Sequence, residues 1–194
     1  MSKNKVVFGF KNVHIAFRDD TATDQPAWEE PIKIPGAVSF SPNPEGENTP
    51  FYADDVVYYV ASSNNGYTGD LTMANLPDEI LARMLGWKID NNGMLVEVAD
   101  GKPEKFALMG EVQGDARNRR FVYYDVQANR PTREKQTKTE SVEPSTITLP
   151  VTISPIEIDG KMIVKGDIEL NDSNETVFNS FFDSVYVPTF TSEG

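Results

Sequence analysis

The sequence predicts a mainly β protein, a sandwich or barrel with one flanking α-helix, long loops and a C-terminal helical segment. Three observations predict it. Short runs of β-branched and aromatic residues recur along the chain, turn signals separate them, and helical periodicity with proper end signals is confined to two stretches. At 194 residues the chain is long enough to bury a core without disulfides or metals, and a single domain over 1–194 is expected.

The strand signals begin at once. Lys5-Val6-Val7-Phe8 and Val13-His14-Ile15-Ala16-Phe17 read as a first strand pair, split at Gly9. From Thr21 to Pro50 the chain carries Pro26, Pro31, Pro35, Pro42, Pro44 and Pro50. Proline gives the ladder no donor, so only short strands are expected there, chiefly Ala37-Val38-Ser39-Phe40 after the Pro35-Gly36 turn. Asp55 to Ala61 is the most intense strand run, and Asn64-Asn65-Gly66 closes it. Asn-Gly favours a hairpin to Tyr67–Ala74, whose alternation of apolar and polar residues marks a half-buried strand.

The clearest helix runs from Pro77 to Leu85. Proline and two acids open it, Gly86 ends it, and Ile80, Leu81, Met84 and Leu85 share one face. So short a helix is marginal alone and must dock on the sheet. Downstream, Asp90-Asn91-Asn92-Gly93, Asp100-Gly101 and Asp159-Gly160 are hairpins or tight bends between strands expected at Leu95–Val98, Lys105–Val112, Arg120–Ala128, Ser145–Ile153 and Lys161–Leu170. The stretch 128–144 is polar and aperiodic, an exposed loop or arm. Finally Ser173 or Asn174 can cap a helix over 173–187, striped by Val177, Phe178, Phe181, Phe182 and Val185 and stopped by Pro188.

Composition narrows the function. With no cysteine, disulfides, thiol nucleophiles and thiolate metal sites are excluded. His14 is the single histidine, which excludes sites built on several histidines, and a satisfied structural imidazole is expected. There is no Gly-x-Ser-x-Gly elbow, no Gly-x-x-x-x-Gly-Lys loop and no Gly-x-Gly-x-x-Gly after a strand. The adjacent acids Asp19-Asp20, Glu29-Glu30 and Asp54-Asp55 would point to opposite faces of a strand. Asp90-x-Asn92-Gly93 departs from a calcium loop in its early glycine and reads as a turn. No enzyme activity, cofactor or metal is therefore expected. Met1–Lys5 followed by Val6-Val7-Phe8 lacks an apolar h-region, so neither a signal sequence nor a membrane span is expected, and synthesis is expected in the cytoplasm.

The net charge is −12, which repels phosphate. Residues 114–145 are nevertheless locally basic, with Arg117, Arg119, Arg120, Arg130, Arg133, Lys135 and Lys138 against five acids. They read either as an exposed mixed-charge loop or as a basic inter-subunit surface, centred on Arg117, Arg119, Arg130 and Arg133, that meets an acidic neighbour. Arg119-Arg120-Phe121-Val122-Tyr123-Tyr124 could offer stacking platforms for bases. Strand periodicity instead turns Phe121 and Tyr123 to one face and Val122 and Tyr124 to the other, as packing.

Several stretches in order resemble the major tail-tube protein family of long, non-contractile-tailed (siphovirus-type) bacteriophages: Phe10-Lys11-Asn12-Val13-His14, Pro35-Gly36-Ala37-Val38, Phe51-Tyr52-Ala53-Asp54-Asp55 and Asn65-Gly66-Tyr67-Thr68-Gly69. Leu76-Pro77, Leu85-Gly86, Asp90-Asn91-Asn92-Gly93, Phe106-Ala107-Leu108 and Val122-Tyr123-Tyr124 extend the similarity from about Phe10 to Pro155. The resemblance implies a tail-tube-type β-sandwich or barrel, six copies closing into rings, and rings stacking into a hollow tail tube through which double-stranded DNA is ejected. It implies self-association, tape-measure, tail-terminator and baseplate or tip proteins as partners, and a place in the virion tail.

By the same resemblance the loop 41–55 matches the family's ring-stacking hairpin, with Gly46, Phe51, Tyr52, Asp54 and Asp55 as assembly residues. From the residues alone, Phe51 and Tyr52 suit a core and an interface equally. The C-terminal helix could dock in its own subunit or on a neighbour. Two alternatives stand beside this reading: a tube protein of a contractile injection or secretion system, and a non-enzymatic carbohydrate- or receptor-binding β-sandwich.

Overall fold

The structure is a computed structural model and describes residues 5–23, 25–53, 55–114, 116–132 and 146–190. Strands β1 (Val7–Asp19), β2 (Ala27–Trp28), β3 (Ile32–Lys33), β4 (Ala37–Glu45), β5 (Asn48–Ala53), β6 (Val56–Ser62) and β7 (Gly66–Met73) precede helix α1 (Asp78–Leu85). Then come β8 (Lys88–Ile89), β9 (Leu95–Val96), β10 (Phe106–Gly114), β11 (Arg119–Ala128), β12 (Ile147–Ile153), β13 (Ile156–Ile158), β14 (Lys161–Ile163), β15 (Lys165–Glu169) and the short helix α2 (Glu175–Asn179).

The main sheet runs β2-β1-β10-β11-β12-β7-β4, with β3 also on β1 and β15 also on β11. It curls back on itself. Phe10 of β1 and Phe40 of β4, from the two ends of that path, lie 6.4 Å apart between ring centroids, and both stack on Phe121 of β11 at 6.1 Å. Tyr123 meets Phe40 and Tyr67 edge-on at 5.2 and 5.6 Å. This aromatic seam closes the sheet into a barrel-like form without a hydrogen-bond ladder, using ring geometries that favour offset and edge contacts.

The middle strands are buried on both faces, which explains their near-continuous apolar runs. Val13, Ile15, Phe17, Phe106, Leu108, Phe121 and Tyr123 form one cluster with Ile80, Leu81, Met84 and Leu85 of α1. Ala16, Ala107, Met109, Val122 and Tyr124 form a second with Ile156, Ile158, Phe181 and Val185. The expected division of Phe121 and Tyr123 from Val122 and Tyr124 holds, and α1 docks as its stripe requires. Gly86, at φ 70°, ends α1.

Local signals and pairing part company in four places. The expected first strand pair is one long strand, β1, bent where Gly9 and Asn12 take positive φ (71° and 53°) and its register with β10 shifts. β4 runs on through Pro42 and Pro44 to Glu45 because it is an edge strand and pairs with β7 alone among the described residues; alternate prolines there can turn their donorless nitrogens outward. β6 pairs with β5 rather than β7, because β7 already lies between β4 and β12. The C-terminal helix is only Glu175–Asn179, followed by turns to Ser184. Ser180 Oγ donates to the Thr176 carbonyl, which competes with the backbone ladder at the helix end. Breaking the helix there sends Phe181 into the second cluster and Phe182 onto His14.

Among the turns, Asp90–Gly93 joins the β8–β9 hairpin and Asp159-Gly160 joins β13 to β14. Asp90 Oδ1 accepts the Asn92 and Met94 amides at 2.8 Å, which holds its carboxyl below the usual range. Asp100-Gly101 is a bend closed by Gly101 N donating to the Val98 carbonyl. The strand expected over Lys161–Leu170 divides into β14 and β15. Most of the polar stretch 128–144 lies outside the described residues.

Candidate assembly interface

The ladder between β4 and β7 does not stop at the sheet. Glu45 pairs with Gly66, the Ser63 amide donates to the Glu47 carbonyl, and β5 continues on β6 from Asn48–Ser62 to Ala53–Val56. Residues 37–73 are thus one antiparallel ribbon. Its base is the β4–β7 edge of the main sheet, where β12 covers β7 from Tyr67 to Met73. Beyond Gly66, β5 and β6 pair only with each other among the described residues. At about 3.3 Å per residue, the eight steps from Glu45 to Ala53 carry the tip roughly 26 Å from the sheet edge.

Two glycines sit at the root. Gly66 has φ 98°, and a Cβ there would lie 1.9 Å from the Ile153 carbonyl oxygen; a Cβ on Gly46 would lie 2.1 Å from that of Ser63. Backbone passes too close at both places for any side chain. The root is tied further by Thr68 Oγ1 donating to Glu45 at 2.6 Å and by the Glu47 amide donating to Ser63 Oγ at 3.0 Å. Local sequence explains the tip: Asp55 takes φ 61°, a left-handed conformation that aspartate tolerates.

The ribbon is apolar for something so exposed. Val56, Tyr58 and Tyr59 are 60%, 76% and 64% exposed, and β5 opposes them with Pro50, Phe51, Tyr52 and Ala53. Phe51 pairs with Tyr59 and Tyr52 with Val57 across the ladder. Monomers rarely leave such a patch uncovered, and aromatics on an exposed element mark an interaction surface. The structure therefore brings Gly46, Phe51, Tyr52 and Asp55 onto one element; Asp54 lies outside the described residues. Sequence reading missed Val56, Tyr58 and Tyr59, because an unbroken apolar run reads as a buried strand. The available signal was that the run carries two tyrosines beside the acidic Asp54-Asp55 pair.

A model of the family described as "Phage tail tube protein" matches residues 2–180. The chain belongs to the phage tail tube protein family. This tail tube protein is accordingly a structural, tube-type protein. Its fold also aligns with a solved structure described as "Cryo-EM structure of the anti-feeding prophage (AFP) baseplate, 6-fold symmetrised", at 10% identity over 87% of this chain and 97% of that one, with a TM-score of 0.45. Another, described as "Structure of a type six secretion system protein", aligns at 12% identity over 84% and 96%, with a TM-score of 0.35. No match was found among the curated proteins.

The basic residues are scattered and already engaged. Arg117 and Arg119 both reach Glu169, at 3.6 and 3.1 Å, and Arg130 reaches Glu97 at 3.1 Å; Arg133 lies outside the described residues. Arg120 is mostly buried and bonds Glu111 at 2.8 Å, while Lys11 reaches the same carboxylate at 3.3 Å. A second buried acid, Asp125, takes Arg18 at 3.0 Å and Lys105 at 2.6 Å. On the helix side, Arg83 clamps Glu29 and Glu104 and stacks 3.8 Å over Phe17. Its hydrogen bonds hold Glu29 below the usual carboxylate range.

Proposed function

We propose that this tail tube protein polymerises into stacked homo-hexameric rings that form a hollow tail tube for double-stranded DNA, and that the β5–β6 ribbon is the arm joining one ring to the next. The observation that carries the reading is the ribbon itself, a two-stranded arm rooted on two glycines and tipped with exposed aromatics. An isolated two-stranded arm is marginal in water, so seating it on a neighbouring copy gains both buried area and order. A head-to-tail contact of this kind propagates along an axis instead of closing on a dimer. The net acidity suits a channel wall along which phosphate slides without sticking, an effect that salt weakens beyond a Debye length of about 10 Å at 0.1 M. Arg119 and Arg130 would contribute at the rim, tuned by their own acids.

Double replacement of Phe51 and Tyr52 by alanine is expected to leave the circular dichroism spectrum unchanged and to abolish tube growth in negative-stain micrographs. Loss of the folded spectrum would show instead that these side chains belong to the core.

A second setting, a tube inside a contractile injection or secretion system, draws support from the β8–β9 hairpin, where Ile89, Met94 and Val96 are exposed. An apolar patch away from the ribbon suits a surrounding sleeve. Substituting Met94 and Val96 by serine without any effect on co-assembly with neighbouring gene products would speak against it.

A further inference from the structure

The C-terminal segment packs across the second face of the sheet, and its fastening is unusual for its chemistry. Phe182 stacks on His14 of β1, with ring centroids 4.3 Å apart and planes 18° from parallel. The guanidinium of Arg120 lies 4.1 Å from the Phe178 ring centre and 4.7 Å from that of Phe182, and donates to the Phe178 carbonyl. Tyr124 donates its hydroxyl to the Tyr186 carbonyl at 3.0 Å, and the Phe190 amide donates to Asp159 at 3.2 Å. No strand ladder ties residues 171–190 to the sheet among the described residues. The buried Phe178, Phe181 and Val185, ring contacts and single hydrogen bonds hold them.

We propose that His14 and Phe182 form an acid-sensitive latch, closed while the imidazole is neutral and opened by its protonation, which frees residues 171–190 from the sheet. The geometry around His14 is hostile to a positive charge. Lys33 of β3 is its cross-strand partner, Met109 is its partner on β10, and Arg120 of β11 shares the Phe182 ring. The acids at hand are already used, since Glu111 on β10 neutralises Arg120 and Lys11. From the segment itself the ring of Phe182 faces His14, and the exposed Asp183 follows it in the chain. His14 Nδ1 lies 2.9 Å from the Asn12 carbonyl, so a neutral ring donates there and needs no second proton. An imidazolium on Phe182 would gain some cation–π attraction, but from a ring that already serves Arg120.

Burial first, and Lys33 and Arg120 after it, outweigh the Asn12 contact and hold the imidazole below its ordinary 6.5. The latched form thus binds fewer protons than the open form. Only the burial that the segment supplies separates the two forms, since Lys33 and Arg120 stay on the sheet in both; the latch is complete above the open-state value of His14 and declines as pH falls from there through the latched one. The opening equilibrium grows about tenfold for each unit by which the latched value lies below the open one.

Hydrogen exchange of the full chain, corrected for the intrinsic pH dependence of exchange, tests this at pH 7.5 and 5.5. Wild type is expected to lose protection over 175–190 at the lower pH while β10 and β11 keep theirs, and His14→Phe, which stacks but cannot be protonated, is expected to respond at neither pH. Equal responses in both proteins, no response in wild type, or loss spread evenly over the sheet would each overturn the latch. Should His14→Phe fail to fold, an NMR titration of the wild-type imidazole decides: a midpoint shared with segment opening supports the proposal, and midpoints separated by more than about one pH unit refute it.

Discussion

At Gly66 the backbone holds φ 98° while the Ile153 carbonyl passes where a side chain would stand. Gly66→Ala combines a left-handed strain with a backbone clash and should cost about 2 kcal/mol or more, read as a lower urea midpoint at unchanged slope. Glu111 and Asp125 make a different case. Each carboxylate is 3% exposed, yet the cations around Asp125 are not sealed in, Arg18 and Lys105 side chains being 29% and 42% exposed. Removing the acid lets those cations rehydrate, so Asp125→Asn should cost about 1–3 kcal/mol rather than the full penalty of an orphaned buried charge. Leu81, 1% exposed beneath α1, sets the upper end of the scale: Leu81→Ala should cost about 2–5 kcal/mol by the same denaturation measurement.

At the scale of elements, what the sequence made legible was local. Helix α1 could be read because its proline, acids, stripe and closing glycine all lie within ten residues, and the Asp90–Gly93 and Asp159-Gly160 hairpins because each turn carries its own conformational demand. Pairing was legible only in part. Asn65-Gly66 reads as a hairpin turn, yet the chain passes straight through it from β6 into β7, with the Ser63 and Asn65 amides donating to Glu47 and Glu45 of the opposite strand, so β6 pairs with β5 and β7 with β4 and β12. The C-terminal stripe has the right period, but Phe181 and Phe182 must diverge to reach Tyr124's cluster and His14, and five helical residues are all that divergence permits. On the candidate ribbon, Gly46, Phe51 and Tyr52 are the residues the family resemblance names, whereas the exposure of Tyr58 and Tyr59 required knowing that their strand leaves the sheet. Replacing residues 47–64 by a two-residue Asn-Gly turn should therefore leave the main sheet folded, with near-unchanged hydrogen-exchange protection in β10 and β11, while removing assembly.

At the scale of the whole molecule, the sheet closes through aromatic packing, both of its faces carry a core cluster built from within the chain, and the ribbon leaves apolar side chains uncovered. The protein's most exposed aromatic side chains among the described residues, Tyr58 and Tyr59, lie on that ribbon, which is where the proposed contact between copies would form. The measurement that bears most directly on this is a cryo-EM map of the assembled wild-type protein. It should show an axial channel, with each β5–β6 ribbon seated on a copy in the adjacent ring and Tyr58 and Tyr59 buried there. Ribbons pointing into solvent, or copies packed with no passage along the axis, would contradict it.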